Sequence, residues 1–429
     1  MDITDALELP CGARLKNRLA KAAMTEGLAA SDHSATSRHA TLYRRWAHGG
    51  AGMLLTGNIM VDRRYLERPA NLVIDGPQSS RQMSALRELA QAGTENGAHL
   101  WAQLSHAGRQ TPKMVAAQPV GPSAVTVKLP GGQFARPRAL EAAEIEDIIG
   151  RFVHAANVVK EAGFTGVQIH SAHGYLISEF LNPLTNQRTD QWGGSLENRA
   201  RLLLRTVAAV RKAVGDKYPV SVKLNSSDFQ KGGYTFSECL QVVEWLDNGT
   251  IDLLEISGGS YEQPMMMGME GLEPAVEKPL AESTAMREAY FLEYAGKIAE
   301  TVGTPLMVTG GFRSRQVMDA ALVSGAADVI GIARPLCVDV DVPNQLLNGI
   351  LGAAPAWEKG LSLGPGIFGA RSRVPLLKAV NGFAAMAFFY QNIYRLADGL
   401  ATKSKMALLP ALIRHQRGEM RAARQLDSR

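Results

Sequence analysis

GVQIHSA (166–172) is an apolar run of strand length that stays hydrophobic along its course and then ends in polar residues. A strand buried on both faces reads this way, whereas a half-exposed strand alternates. Seven further stretches repeat the pattern: LAKAAM (19–24), GMLLTGN (52–58), HLWAQLSH (99–106), VSVKLNS (220–226), LLEISGG (253–259), PLMVTGG (305–311) and VIGIARP (329–335). Between them lie longer stretches with helical spacing of Ile, Leu, Val and Ala, such as Glu144 to Ala162 and Leu196 to Val214. Eight βα units predict a single α/β domain, a (β/α)₈ barrel, over residues 1–340. No GxGxxG follows the first strand, which counts against a Rossmann domain.

The polar residues gather at the strand ends. Thr25, Asn58, Gln103, His106, His170, His173, Lys223, Ser257 and Arg334 all lie within or just after the C-terminal part of a candidate strand. In a barrel those ends meet on one face, where barrel enzymes build their sites. Two stretches depart from the minimal barrel. LELPCGARL (7–15) reads as a hairpin that plugs the floor. Residues 107–140 are too long for a plain loop, and VTVKLPGGQF (125–134) reads as a lid hairpin closing at Gly131-Gly132.

Three groups of residues carry chemistry. The last two strands end in Gly310-Gly311 and Ala333-Arg334, where barrels commonly hold a phosphate on backbone N–H groups and an arginine; the alternative is a pair of tight turns and a surface arginine. His170, His173 and Tyr175 follow strand four. HxxH spacing is also seen in metal sites, but no third ligand is placed to complete one. Two imidazoles can instead polarise one substrate oxygen, and a nearby phenol can give up a proton. Lys223, in an apolar strand, is costly to bury without an anionic partner; it either faces a negatively charged cofactor or forms a Schiff base with a carbonyl substrate. Gln103 offers a donor and an acceptor to a ring edge.

The segment IHSAHGYLISEFLNPLTNQRTDQWGGSLENRARLLL (169–204) resembles the signature of the Old Yellow Enzyme family of FMN-dependent ene-reductases. LKNRLAKAAMTEG (15–27), WAQLSHAGRQ (101–110), LEISGGSYE (254–262), VTGGFRS (308–314) and GIARPL (331–336) follow in the family's order, so the resemblance covers roughly residues 5 to 340. It implies bound FMN, reduced by NADPH or NADH, and hydride transfer to the activated C=C of an unsaturated carbonyl or nitro compound. Met24, Thr25 and Gly57 would line the flavin, and Gln103 would bond its pyrimidine ring. Gly310, Gly311, Ala333 and Arg334 would hold the phosphate. Lys223 stands where the family more usually has arginine, near flavin N1 and O2. His170 and His173, a His/His variant of the family's pair, would bind the substrate oxygen, and Tyr175 would donate the proton. A dienoyl thioester reductase or an oxidative demethylase of the same family, and a flavin-free lyase using Lys223, are the alternative readings.

Composition narrows the rest. Cys11, Cys239 and Cys337 are too few and too far apart for a disulfide framework, a zinc site or an iron–sulfur cluster. The N-terminus lacks the pattern of a signal peptide and no apolar run spans a bilayer, so a cytoplasmic location is expected. The net charge of +5 resides wholly in residues 401–429, so the barrel carries no basic surplus for nucleic acid. Residues 341–429 are expected to form a helical extension packed on the barrel or on a partner subunit. The less favoured reading of its basic end is a contact with an anionic membrane surface. Monomer and homo-oligomer are both open.

Overall fold

The computed structural model describes residues 1–429 apart from 130, 264–290, 370–371, 373 and 428–429. Eight parallel strands form the barrel: β1 (Leu19–Lys21), β2 (Met53–Met60), β3 (His99–Ser105), β4 (Gly166–Ser171), β5 (Val220–Asn225), β6 (Leu253–Ser257), β7 (Leu306–Thr309) and β8 (Val329–Ile332). Each strand pairs with the next in order, and β1 also pairs with β8, which closes the sheet. All eight predicted strands are present.

Alternation along the strands divides the residues between two cores. Val167 and Ile169 of β4, Val220, Val222 and Leu224 of β5, and Leu254 and Ile256 of β6 face the surrounding helices and join their large apolar cluster. The inward set is sorted by height. At the floor, Ala20, Met53, Leu55, Trp101, Leu253, Met307 and Val329 form a separate apolar cluster with Leu7, Leu9 and Leu15. Those three leucines belong to an antiparallel hairpin, Leu7–Glu8 paired with Arg14–Leu15, which plugs the barrel as expected. Above the floor the inward residues turn polar.

The ladder between β2 and β3 shifts register between Leu55 and Asn58. Such an irregularity re-aims the residues beyond it. Met53 and Leu55 point inward, and strict alternation would send Asn58 outward. The shift turns it in, while Ile59 joins the outer core. Gly57 sits at this shift because a Cβ there would lie 2.5 Å from Met24 O and from Thr25 Cα.

Among the described residues of 125–134, where a lid hairpin was expected, no strand ladder forms. The short strands near it are Val120–Gly121 and Arg138–Ala139, and they pair parallel. Gly131 and Gly132 do turn with φ of 95° and 61°, but no ladder flanks them, and Pro130 lies outside the described residues. The segment's polar groups bond elsewhere: Lys128 N donates to Glu262 Oε1 at 2.6 Å, and Lys113 N donates to Gln133 O at 2.8 Å. These long-range partners satisfy the backbone that a hairpin would have paired with itself.

Beyond the barrel, the helices Pro375–Ala397 and Leu408–Asp427 pack on each other, and the first also packs on the helix Ser37–His48. Arg38 Nε lies 2.7 Å from Asp398 Oδ1, and Arg45 donates to Leu400 O at 2.8 Å. A third anchor is buried. The Arg68 guanidinium stands 4.1 Å over the Tyr390 ring and pairs with Glu419 at 2.8 Å, while His415 stacks on Tyr390 at 4.7 Å. Among the described residues no helix is long and apolar enough to cross a membrane.

Candidate functional site

Midway up the barrel, four inward side chains form a buried polar layer. Lys223 Nζ lies 2.8 Å from Glu255 Oε1, its neighbour across the β5–β6 ladder. Gln168 Nε2 donates to Glu255 Oε2 at 2.8 Å, and Gln103 Nε2 donates to Gln168 Oε1 at 2.7 Å. The carboxylate fixes the direction of the row: it only accepts, so each amide must turn its nitrogen toward it. Gln103 therefore keeps its own oxygen free as an acceptor. Glu255 is the partner that buried Lys223 requires.

Above this layer, Ala23, Thr25, Asn58, Gln103, His170, His173, Tyr175 and Lys223 line one cavity of about 110 Å³. The His170 ring lies 5.2 Å from that of His173 and 4.8 Å from that of Tyr175, both roughly edge-on. His170 comes straight off β4. His173 is aimed by backbone strain, with φ of 63° in a residue other than glycine. Its N–H donates to Asn225 Oδ1 at 3.1 Å, and its carbonyl accepts from Gln110 Nε2 at 3.0 Å. Holding a side-chain-bearing residue in this region costs roughly 1–3 kcal/mol, so the two clamps define where the ring sits. Ser257 Oγ lies 2.7 Å from His173 Nε2. Burial, with the Lys223 charge second, holds both imidazoles well below the usual histidine range, and both are neutral at pH 7.

The Tyr175 hydroxyl donates to Glu67 Oε2 at 2.7 Å and lies 2.8 Å from the Tyr261 hydroxyl. Burial and the Glu67 charge push the phenol well above its ordinary value, so it stays protonated. Glu67 also accepts from Asn58 Nδ2, and Asn58 Oδ1 lies 3.0 Å from His170 Nδ1. Glu67 and Tyr261 were not legible as site residues. They sit in loops after β2 and β6, 108 and 86 positions from Tyr175, without a periodic pattern to mark them.

At the ends of β7 and β8, Gly310 and Gly311 take φ of 131° and 86°, conformations that side-chain-bearing residues avoid. Ala333 precedes a short turn, Arg334–Cys337. Arg334 Nη1 lies 3.6 Å from Glu358 Oε1, and Arg313 Nη2 lies 2.7 Å from the same oxygen. Burial raises the Glu358 carboxyl, but the two guanidiniums outweigh it and hold it below the usual range. Met24 contacts Cys337, with their sulfurs 3.4 Å apart. The Gly57 N–H donates to Glu26 Oε1 at 2.9 Å. His106 is not part of the cavity: it is buried beside Tyr65, with Nε2 3.9 Å from Asp62.

These residues fit a flavin mononucleotide. Gln103 and Lys223 line one cavity, glycines with positive φ and an arginine follow the last two barrel strands, and His170 Nε2 is buried with no partner among the described residues. The sequence profile of the NADH:flavin oxidoreductase / NADH oxidase family matches residues 11–351. An NADH-dependent flavin oxidoreductase, iliE, of Hypocrea jecorina is 36% identical over 361 residues, covering 80% of this chain and 88% of that protein. Among solved structures, an old yellow enzyme homologue from Zymomonas mobilis superposes with a TM-score of 0.68 at 27% identity, covering 82% of this chain and 94% of the other. A 2-naphthoyl-CoA reductase bound to 2-naphthoyl-CoA gives a TM-score of 0.74 at 26% identity; 84% of this chain is covered, but only 54% of that longer one.

Proposed function

Because this chain belongs to the NADH:flavin oxidoreductase / NADH oxidase family, we propose that it is an ene-reductase, reducing the activated C=C bond of an unsaturated carbonyl or nitro compound. It is an oxidoreductase that works with FMN and NAD(P)H, and with that the flavin-free lyase reading of Lys223 falls. The observation that supports the finer reading is the convergence of His170, His173 and Tyr175 on one cavity beside Gln103 and Lys223.

In this reading Gln103, Lys223, Thr25, Met24 and Gly57 border the FMN ring system, while Gly310, Gly311, Ala333 and Arg334 hold its phosphate. The chemistry FMN supplies when bound is hydride transfer between nicotinamide and substrate. His170 and His173 hold the substrate oxygen and orient the double bond. Tyr175 gives its hydroxyl proton to the substrate's α-carbon, and the Tyr261 hydroxyl at 2.8 Å is placed to resupply it. The likeness to 2-naphthoyl-CoA reductase favours, as a second reading, an unsaturated acyl thioester as the acceptor.

The test is an anaerobic absorption titration of the purified protein, first with NADPH or NADH and then with 2-cyclohexenone. A flavin band that bleaches and then returns supports the ene-reductase. A band that bleaches and does not return removes it, and an unsaturated acyl thioester is then the next addition.

A further inference from the structure

The charge of this chain is unevenly placed: the whole net charge of +5 belongs to residues 401–429. The helix Leu408–Asp427 lies beyond residue 351, where the match to the family ends. Its inner side is committed to the protein. Leu408, Ala411, His415 and Ala423 are buried, and Glu419 turns inward to Arg68 at 2.8 Å. Its outer side carries two stripes. Leu409, Ile413 and Met420 are 55%, 43% and 47% exposed. Arg414, Arg417, Arg421 and Arg424 are exposed beside them. Steps of three, four and seven residues keep each stripe on one side of a helix.

The exposed positions of residues 408–426 include no acid, and the four arginines pair with no carboxylate among the described residues. Lys403 and Lys405, exposed just ahead of the helix, add to the same charge. A single exposed apolar side chain on a solvated helix is ordinary. Three in register beside four unpaired arginines select a partner that is both apolar and anionic. A nucleic acid would take the arginines and leave the apolar stripe in water. A second copy of this face would set four arginines against four more. An anionic bilayer answers both stripes, with its acyl boundary for Leu409, Ile413 and Met420 and its headgroup phosphates for the arginines.

We infer that the outer face of Leu408–Asp427 is a docking surface for an anionic lipid bilayer, with the helix lying in the plane of the headgroups. It lies on the membrane and does not cross it, as no helix among the described residues is long and apolar enough to do so. The inner face is fastened to Arg68 and Tyr390, so the barrel is carried to the lipid with the helix. Packing on the barrel and contact with a membrane are therefore not exclusive: the helix does one with each side. The contact is peripheral and sensitive to salt, because attraction between guanidinium and headgroup is screened over about 10 Å at about 0.1 M ionic strength.

Flotation of the full-length, FMN-loaded protein with lipid vesicles tests this. The wild type is expected to float with vesicles of equimolar phosphatidylcholine and phosphatidylserine and to leave them as salt is raised. It should bind phosphatidylcholine alone about tenfold more weakly. Replacing two charges together, Arg417→Gln with Arg421→Gln, should lower the bound-to-free ratio on the anionic vesicles by about tenfold or more. Ile413→Asp, which would put a carboxylate at the acyl boundary, should lower it by a similar factor. These side chains are exposed, so the variants should melt with the wild type, which separates lost binding from lost folding. A wild type that does not float with the anionic vesicles overturns the inference, as does equal binding to phosphatidylcholine alone. Binding that needs the arginines but is unchanged in Ile413→Asp overturns it too, and leaves only a basic patch. A wild type that self-associates in solution where Ile413→Asp does not assigns the face to a second copy instead and overturns it as well.

Discussion

Lys223 and Glu255 face each other across adjacent strands at 2.8 Å, each almost completely shielded from solvent. Removing one partner strands a charge in the barrel. Lys223→Met is therefore expected to cost roughly 3–5 kcal/mol of stability, read as a lower urea midpoint. Replacing both residues together, by Met and Gln, should recover much of that loss. A Lys223→Met protein as stable as the wild type would mean that the pair does not hold the polar layer together.

Tyr175→Phe keeps the ring and removes the proton. Flavin reduction by NADPH or NADH should be unaffected, while reoxidation by an enone slows by about 10²–10⁴-fold. Stopped-flow measurement of the two half-reactions separates them. Equal rates of reoxidation would remove Tyr175 as the proton donor.

Gly57→Ala puts a methyl group 2.5 Å from the backbone of Met24 and Thr25, atoms that cannot swing aside. The expected cost is about 1–3 kcal/mol, with a lower melting temperature. Because the shift at this point turns Asn58 inward, the variant should also disturb the His170 resonances. Unaltered melting would show that β1 and β2 separate more freely than their packing implies.

Acid should weaken the fold by a route that can be counted. Burial holds His39, His106 and His415 at about 4, lowers His99, and holds His170 and His173 well below normal. Each stays neutral when folded but protonates on unfolding below about pH 6.5, so its contribution is present above that pH and lost as pH falls. Burial pushes Glu179 up to about 8 and Asp228 to about 7, so these two release protons on unfolding and act in the opposite sense. Six imidazoles against two carboxyls leave a net uptake of about three to four protons between about pH 4.5 and 6.5. Stability should fall there by roughly 4–5 kcal/mol per pH unit. Urea midpoints at pH 7, 6 and 5 check this, and a flat series would contradict it.

Arg68 ties the loop that carries Glu67 to the C-terminal helices through Tyr390 and Glu419. Arg68→Met should raise amide hydrogen exchange in residues 62–74 and in 408–427 together. Exchange that rises in only one of the two would show that they are not coupled.

The barrel strands were legible because burial on both faces leaves a continuous apolar run, and most of the eight carry one. The grouping of His170, His173, Tyr175, Gln103 and Lys223 was legible because a barrel brings strand ends together. Partners were harder to read. Glu255 stood in plain view within LLEISGG, but only the ladder register shows that it faces Lys223. Glu67 and Tyr261 depend on the path of two loops, and loop paths follow from tertiary contacts rather than from local pattern. The stretch 125–134 was misread for a related reason: a pair of glycines marks a turn but says nothing about what the flanking backbone will bond.

The hairpin of residues 7–15 makes the barrel a cul-de-sac. With Leu7, Leu9 and Leu15 sealed against the lowest ring of inward side chains, whatever reaches His170 and Tyr175 comes and goes at the other end. In the proposed ene-reductase, reductant and acceptor share that one entrance and the place beside His170 and Tyr175, and the first leaves before the second enters. Steady-state rates measured against one, at several fixed levels of the other, should give parallel reciprocal lines, and an excess of either should compete with its counterpart.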